Sequence, residues 1–136
     1  MGLELTQENY FSTEADEQYM SVSQYKSFAG SIGKDGCEAK AMAMLRGEWE
    51  EKVTTPMLVG SYVDAYYEGT LDRFKASHPE LFKKDGELKA EYQQSDRIIE
   101  RAKRDTMFEG FMAGETQVIM TGQLFGAEWK IKMDSY

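Results

Sequence analysis

The chain has 136 residues, a formal net charge of -8, 41% hydrophobic residues and a single cysteine, Cys37. These values predict one folded domain or part of one, and they exclude an intrachain disulfide and a cysteine-ligated zinc site or iron–sulfur cluster. The negative charge argues against tight non-specific DNA binding through lysine and arginine. The single cysteine and an N-terminus without a signal-peptide pattern favour a cytoplasmic protein, and no membrane span is predicted.

The first 20 residues are acidic and polar, and they are predicted to form an arm or loop that precedes a domain portion spanning residues 21–136. Ser21 or Ser23 is suited to cap a short helix. Further helices are predicted from about Cys37 to Leu45 and from Met57 to Glu68. Within the latter, Gly60 predicts a close approach to a neighbouring element.

A long, highly charged helix is predicted from Leu88 to about Arg104, and another helical turn follows before Gly114. Basic residues of this region interleave with acidic ones. Alternating signs are typical of a solvated, ion-paired face, which we favour over a DNA-contacting helix. The basic residues concerned are Lys89, Arg97, Arg101, Lys103 and Arg104.

After Gly114 the apolar pattern changes to a period of two, and Phe125-Gly126-Ala127 predicts a hairpin connection. In the return strand, Lys130, Lys132 and Asp134 are predicted to share a polar face. Helices followed by a hairpin predict an α+β fold. Because an isolated hairpin is marginally stable, we expect it to begin a mixed sheet that other strands complete.

Three carboxylates are candidates for a metal site: Asp134 near the end of a strand, Glu115 at the start of the preceding strand, and Asp64 in the middle of a helix. Mg²⁺ prefers oxygen ligands and uses one or two carboxylates together with water. The same residues are also typical of a solvated strand end, a loop end and a solvated helix face. Cys37 and the single histidine, His78, are predicted to be non-catalytic.

The resemblance of the chain to a known family rests on several segments and on their order along the chain. They are Met20–Phe28 with Cys37-Glu38-Ala39, then Leu58–Asp64, Gly114–Gln117 and Gly126–Asp134. In this order the chain resembles the N-terminal part of RecE-like and RecB-like phage-type exonucleases of the PD-(D/E)XK superfamily. The resemblance implies an α/β-like nuclease core of the restriction-endonuclease type. The family's helix histidine is matched here by Asp64, and its (D/E)-x-K motif would follow Asp134, so we expect an incomplete domain that is inactive alone.

The resemblance further implies an Mg²⁺- or Mn²⁺-dependent exodeoxyribonuclease in the intact protein, with Asp134 and Glu115 as catalytic residues and Asp134, Glu115 and Asp64 as metal ligands. Its substrate would be linear double-stranded DNA in phage-type recombination. A single-strand annealing protein and further copies of the chain are the expected protein partners. The alternative is a non-catalytic, acidic protein-interaction module of phage or bacterial origin.

Overall fold

The computed structural model describes residues 2–136. The chain divides into two compact units: the first contains the residues up to Glu51 together with Ile119–Met133, and the second contains Lys52–Val118 together with Asp134–Tyr136. The helices are α1 (Thr13–Gln18), α2 (Val22–Ala29), α3 (Glu38–Leu45), α4 (Thr55–Tyr67), α5 (Leu71–Ser77), a 3₁₀ turn (Pro79–Leu81), α6 (Gln93–Ala102) and α7 (Thr106–Met112). The strands β1 (Thr116–Leu124) and β2 (Ala127–Ser135) pair with each other.

Helix α2 begins with the cap that the sequence predicts at Ser21. The Ser21 hydroxyl accepts the backbone N–H of Gln24 at 3.2 Å, and the Gln24 side chain accepts the backbone N–H of Ser21 at 3.2 Å. This reciprocal pair satisfies two donors that the first turn of a helix otherwise leaves unbonded. The predicted helix is therefore confirmed.

The acidic segment 1–20, predicted to be an arm or loop, contains helix α1, whose N-terminus is capped by Ser12. Its residues also cover Lys130, which the strand pattern places on a polar face. The Lys130 side chain is 1% exposed, and its Nζ atom donates to Asp16 Oδ1 at 2.6 Å and to the Tyr10 carbonyl oxygen at 2.5 Å. A buried ammonium group is tolerated because these oxygens compensate for its lost hydration.

The core of the second unit is a cluster of buried side chains from helices α4 and α6 and the segment between α5 and α6. Its buried members are Val59, Tyr62, Leu81, Tyr92 and Ile99. The Tyr62 hydroxyl also donates to Asp96 Oδ1 at 2.9 Å, which joins α4 to α6.

Helix α6 begins at Gln93, five residues after the predicted start at Leu88. A bridge between Phe82 and Leu88 and a hydrogen bond from the Lys89 N–H to the Leu81 carbonyl hold this segment in a turn. The backbone groups that a longer helix would need are therefore bonded elsewhere.

The prediction for Gly60 is also wrong, because a Cβ atom built there meets no atom of residues 2–136 within 4 Å.

The hairpin is confirmed, and with it the α+β class. Phe125 and Gly126 form a two-residue loop with φ angles of 53° and 78°. Two consecutive positive φ angles are typical of the type I′ turn, whose twist matches that of antiparallel strands. The expected completion of the sheet by other strands stays a prediction. Within the described residues every helix is too short or too polar to cross a bilayer.

Candidate metal and catalytic site

Asp64 lies on helix α4, on the side opposite the residues that pack into the core of the second unit. Val59, Tyr62 and Ala65 are buried, whereas Asp64 is largely exposed and its carboxylate is only partly covered by protein. The helical period places Asp64 and Glu68 one turn apart on neighbouring surface positions. Glu68 follows the last helical residue, and its Oε2 atom accepts a long hydrogen bond of 3.4 Å from the Thr70 hydroxyl.

The pKa of Asp64 is raised above its ordinary value of 3.8. Partial burial of the carboxylate is the largest cause, and the negative charges of Asp134 and then Glu68 add to it. Surrounding protein and like charges both disfavour an ionised carboxylate. The structure therefore brings Asp64 and Asp134 within electrostatic reach of each other, as the metal-site hypothesis requires of these two residues.

Asp134 is exposed, and backbone contacts at the following residues hold the end of β2. Glu115 and Tyr136 exchange two backbone hydrogen bonds, at 3.0 Å and 2.8 Å. The Ser135 hydroxyl donates to the Phe111 carbonyl at 2.6 Å, which ties the end of β2 to α7.

Gly114 lies against the same strand end. A Cβ atom at Gly114 would collide with the Tyr136 carbonyl oxygen and lie 2.7 Å from Ser135 Oγ. A side chain at this position would therefore displace the residues that follow Asp134. Sequence reasoning did not identify this role of Gly114 and Ser135, because close approach between distant backbone segments leaves no local pattern.

Glu115 is exposed and lies directly opposite Tyr136 in the strand pairing. Counting two residues along each strand places Gln117 opposite Asp134. Gln117 has a φ angle of 57°, in the left-handed region that residues other than glycine rarely adopt. This conformation departs from regular strand geometry at the residue that lies opposite Asp134.

The described residues supply a pair of coupled carboxylates rather than a complete ligand cage. Within residues 2–136, no three His, Cys, Asp or Glu side chains lie close enough together to hold a metal ion. Mg²⁺ is commonly bound through one or two carboxylates, with water and substrate phosphate oxygens at the other positions. A divalent cation between Asp64 and Asp134 would offset their mutual repulsion, and the role of these two residues as ligands stays a prediction. The ligand role of Glu115 stays a prediction.

The charged helix differs from the ion-paired face that we favoured. Of its basic residues, Lys103 pairs with Glu100 at 3.1 Å. Elsewhere in residues 2–136 the ion pairs use other lysines, and none includes Arg97, Arg101 or Arg104. These guanidinium groups are exposed and free of carboxylate partners, so the prediction of an ion-paired face is wrong for the arginines.

Comparison with known proteins identifies the family. Residues 21–136 match the family described as "PDDEXK-like domain of unknown function (DUF3799)". A comparison with curated proteins found no match.

Among solved structures, the chain is similar to a crystal structure from Eubacterium rectale described as a "putative exonuclease", with 58% sequence identity and a TM-score of 0.93. The similarity covers 99% of this chain and 51% of that one, so the chain spans about half the length of that protein. The predicted resemblance to the PD-(D/E)XK superfamily is confirmed, and the chain belongs to the family of PDDEXK-like domains described as DUF3799.

Proposed function

We propose that these residues form the N-terminal part of a metal-dependent DNA exonuclease. The observation that carries this proposal is that, in a chain of the PDDEXK-like family, the charge of Asp134 adds to burial in raising the pKa of Asp64. The description of the Eubacterium rectale protein as a "putative exonuclease" supports the same reaction class. Linear duplex DNA as substrate, a role in phage-type recombination and a cytoplasmic setting are parts of the same proposal.

Asp64 and Asp134 would hold Mg²⁺ or Mn²⁺ between α4 and the end of β2. A divalent cation bound there would polarise a phosphodiester oxygen and lower the pKa of a bound water. The role of the chain itself is to hold both carboxylates in place. Tyr62 and Tyr67 anchor α4 through hydrogen bonds to Asp96 and Glu109, both of 2.9 Å.

Glu115 would act beside this pair when substrate and the remaining acidic residue of the family motif are present. Its backbone is fixed by the exchange with Tyr136, while its side chain stays exposed. Replacement by glutamine separates the two candidate roles of the carboxylate. Loss of metal affinity would assign Glu115 as a ligand, and loss of cleavage at unchanged metal affinity would assign it a role in the reaction.

The test uses the longer protein to which these residues are proposed to belong, with end-labelled linear duplex DNA in Mg²⁺. Asp134→Asn is expected to slow degradation by about 100-fold or more, because a metal at the reacting phosphate contributes several kcal/mol. Asp72→Asn on α5 is the matched control, since Asp72 is exposed in the same unit. Equal rates for wild type and Asp134→Asn would refute the proposal.

The alternative, a non-catalytic interaction module, is favoured by the lack of a three-ligand cluster within residues 2–136. The same assay separates the two functions. Mg²⁺-dependent release of nucleotides from linear DNA, with covalently closed circles left intact, would support the exonuclease. No degradation of either substrate by the wild-type protein would support the interaction module.

A further inference from the structure

A cavity of about 620 Å³ opens on the second unit, beside α6 and α7. Its lining includes the apolar side chains of Ile98 and Phe108 and the guanidinium-bearing residues Arg101 and Arg104. Ile98 is 44% exposed and Phe108 is 39% exposed. An open hollow that combines exposed apolar surface with cationic residues is suited to a ligand that is both anionic and aromatic.

The charges around this cavity favour an anion, although the chain as a whole carries -8. Arg101 and Arg104 form no ion pair with the described residues. Asp105, the acidic residue of the lining, is engaged locally: its Oδ1 atom accepts the backbone N–H groups of Met107 at 3.1 Å and Phe108 at 3.0 Å. The two guanidinium groups are therefore available to bind phosphate oxygens from outside the chain.

Phe108 is held in place without being covered. Its ring contacts Tyr67 with a centroid distance of 5.5 Å and an interplanar angle of 82°. The Tyr67 hydroxyl in turn donates to Glu109 at 2.9 Å. A fixed, partly exposed aromatic ring beside unpaired arginines has the features of surfaces that bind single-stranded nucleic acids, where bases stack on aromatic rings and cations follow the phosphates.

We propose that this cavity binds a single-stranded segment of DNA, with Arg101 and Arg104 contacting successive phosphates and Phe108 stacking on a base. The inference rests on the proposed exonuclease function, since digestion of one strand of a duplex leaves the other strand single. It identifies a strand-binding surface separate from the Asp64 and Asp134 pair. An acidic peptide is the competing occupant, and it is less favoured because it offers no base to stack on Phe108.

The test measures fluorescence anisotropy of a fluorescein-labelled oligothymidylate of about twelve nucleotides, within the usual site size of such surfaces. The 136-residue chain is used with EDTA present, so binding is separated from cleavage. Arg101→Gln/Arg104→Gln is expected to weaken binding about 10-fold. It should also flatten the dependence of log K on log salt by about 1.4, which corresponds to two lost phosphate contacts on a single strand.

Matched controls come from the same unit. Arg73→Gln/Lys84→Gln removes the same charge from exposed positions outside the cavity and should leave the salt slope unchanged.

Phe108→Leu keeps an apolar side chain but removes the ring, and it should weaken binding about 5-fold or more, whereas Phe108→Tyr should retain binding. Phe111→Leu, at a 72% exposed ring outside the lining, should bind as wild type. Circular dichroism verifies that each variant is folded.

Several outcomes would overturn this assignment. The first is an equal loss of oligonucleotide affinity in the two double variants, and the second is an unchanged oligonucleotide affinity in Phe108→Leu. The last is displacement of the oligonucleotide by a polyglutamate peptide of equal charge. The last would assign the cavity to an acidic peptide. Failure of this strand-binding proposal is distinguishable from failure of the exonuclease proposal. The Asp134→Asn substitution in the degradation assay leaves the cavity intact. The binding assay in EDTA does not require a metal ion at Asp64 and Asp134.

Discussion

Burial and, after it, the negative charge of Asp134 raise the pKa of Asp64, although Asp64 lies on helix α4 and Asp134 near the end of strand β2. Two like charges are rarely held together without a counterion or a proton, because each destabilises the ionised form of the other. Functional sites are enriched in such arrangements. We therefore expect the behaviour of this pair to report on the function of the chain.

Replacement of Asp134 should return the pKa of Asp64 toward its ordinary value. In Asp134→Asn the charge of residue 134 is gone and the raised pKa of Asp64 should fall, while burial and the charge of Glu68 continue to hold it above 3.8. The measurement is an NMR titration of the Asp64 side-chain carboxyl carbon. Asp72→Asn removes a charge that does not act on Asp64 and should leave the titration unchanged. Identical midpoints in wild type and Asp134→Asn would contradict the coupling.

The free energy of unfolding should depend on pH through Asp64. The folded state binds the proton of the Asp64 carboxyl more tightly than the unfolded chain does. The contribution of Asp64 to the free energy of unfolding is therefore most favourable below its unfolded pKa. It is lost as pH rises through the raised pKa of the folded state. Asp64→Asn removes this penalty. The variant should be more stable than wild type at pH 7, and the difference should shrink as pH falls toward 3.8. Urea denaturation at several pH values measures it, and a difference independent of pH would contradict the prediction.

Two glycines of the second unit should respond in opposite directions to the same substitution. Gly60→Ala adds a methyl group that meets nothing within 4 Å among residues 2–136, so it should stabilise the unit by about 0.5–1 kcal/mol through better helix propensity. Gly114→Ala forces a methyl group against the Tyr136 carbonyl and should destabilise by about 1–3 kcal/mol. Urea denaturation gives both values. Stabilisation by Gly114→Ala would show that the end of β2 is not closely packed there.

The ion pair between Asp16 and Lys130 should be needed for the stability of the first unit. Asp16→Asn leaves a buried ammonium group without its charged partner and should cost about 2 kcal/mol. Glu17→Gln, next in sequence and exposed, is the matched control and should change stability little. Thermal or urea denaturation provides the comparison. Equal stability of the two variants would mean that water compensates Lys130 as well as Asp16 does.

Local signals were sufficient to predict several elements of the fold. Ser21 marks the start of α2, and Phe125-Gly126 forms the hairpin loop. Each of these signals acts on its immediate neighbours in sequence. Such features are therefore accessible from periodicity, capping and turn chemistry.

Errors arose where distant residues decide the structure. Lys130 lies on the polar face of the strand pattern, yet it is buried, and the Asp16 carboxylate that it contacts lies 114 residues away. Helix α6 starts late because Leu81 accepts a hydrogen bond from Lys89. The metal-site hypothesis likewise depended on the family resemblance, because no local pattern relates Asp64 to Asp134.

The most direct test of the account is a crystal of this chain soaked in Mn²⁺, with anomalous scattering used to locate the ion. The proposed function requires Asp64 and Asp134 to bind the cation together, so Asp64→Asn or Asp134→Asn should remove the signal. We predict an anomalous peak with oxygen atoms of Asp64 and Asp134 at about 2.0–2.2 Å. A structure in which Mn²⁺ binds elsewhere, while these two carboxylates contact only water, would contradict the account.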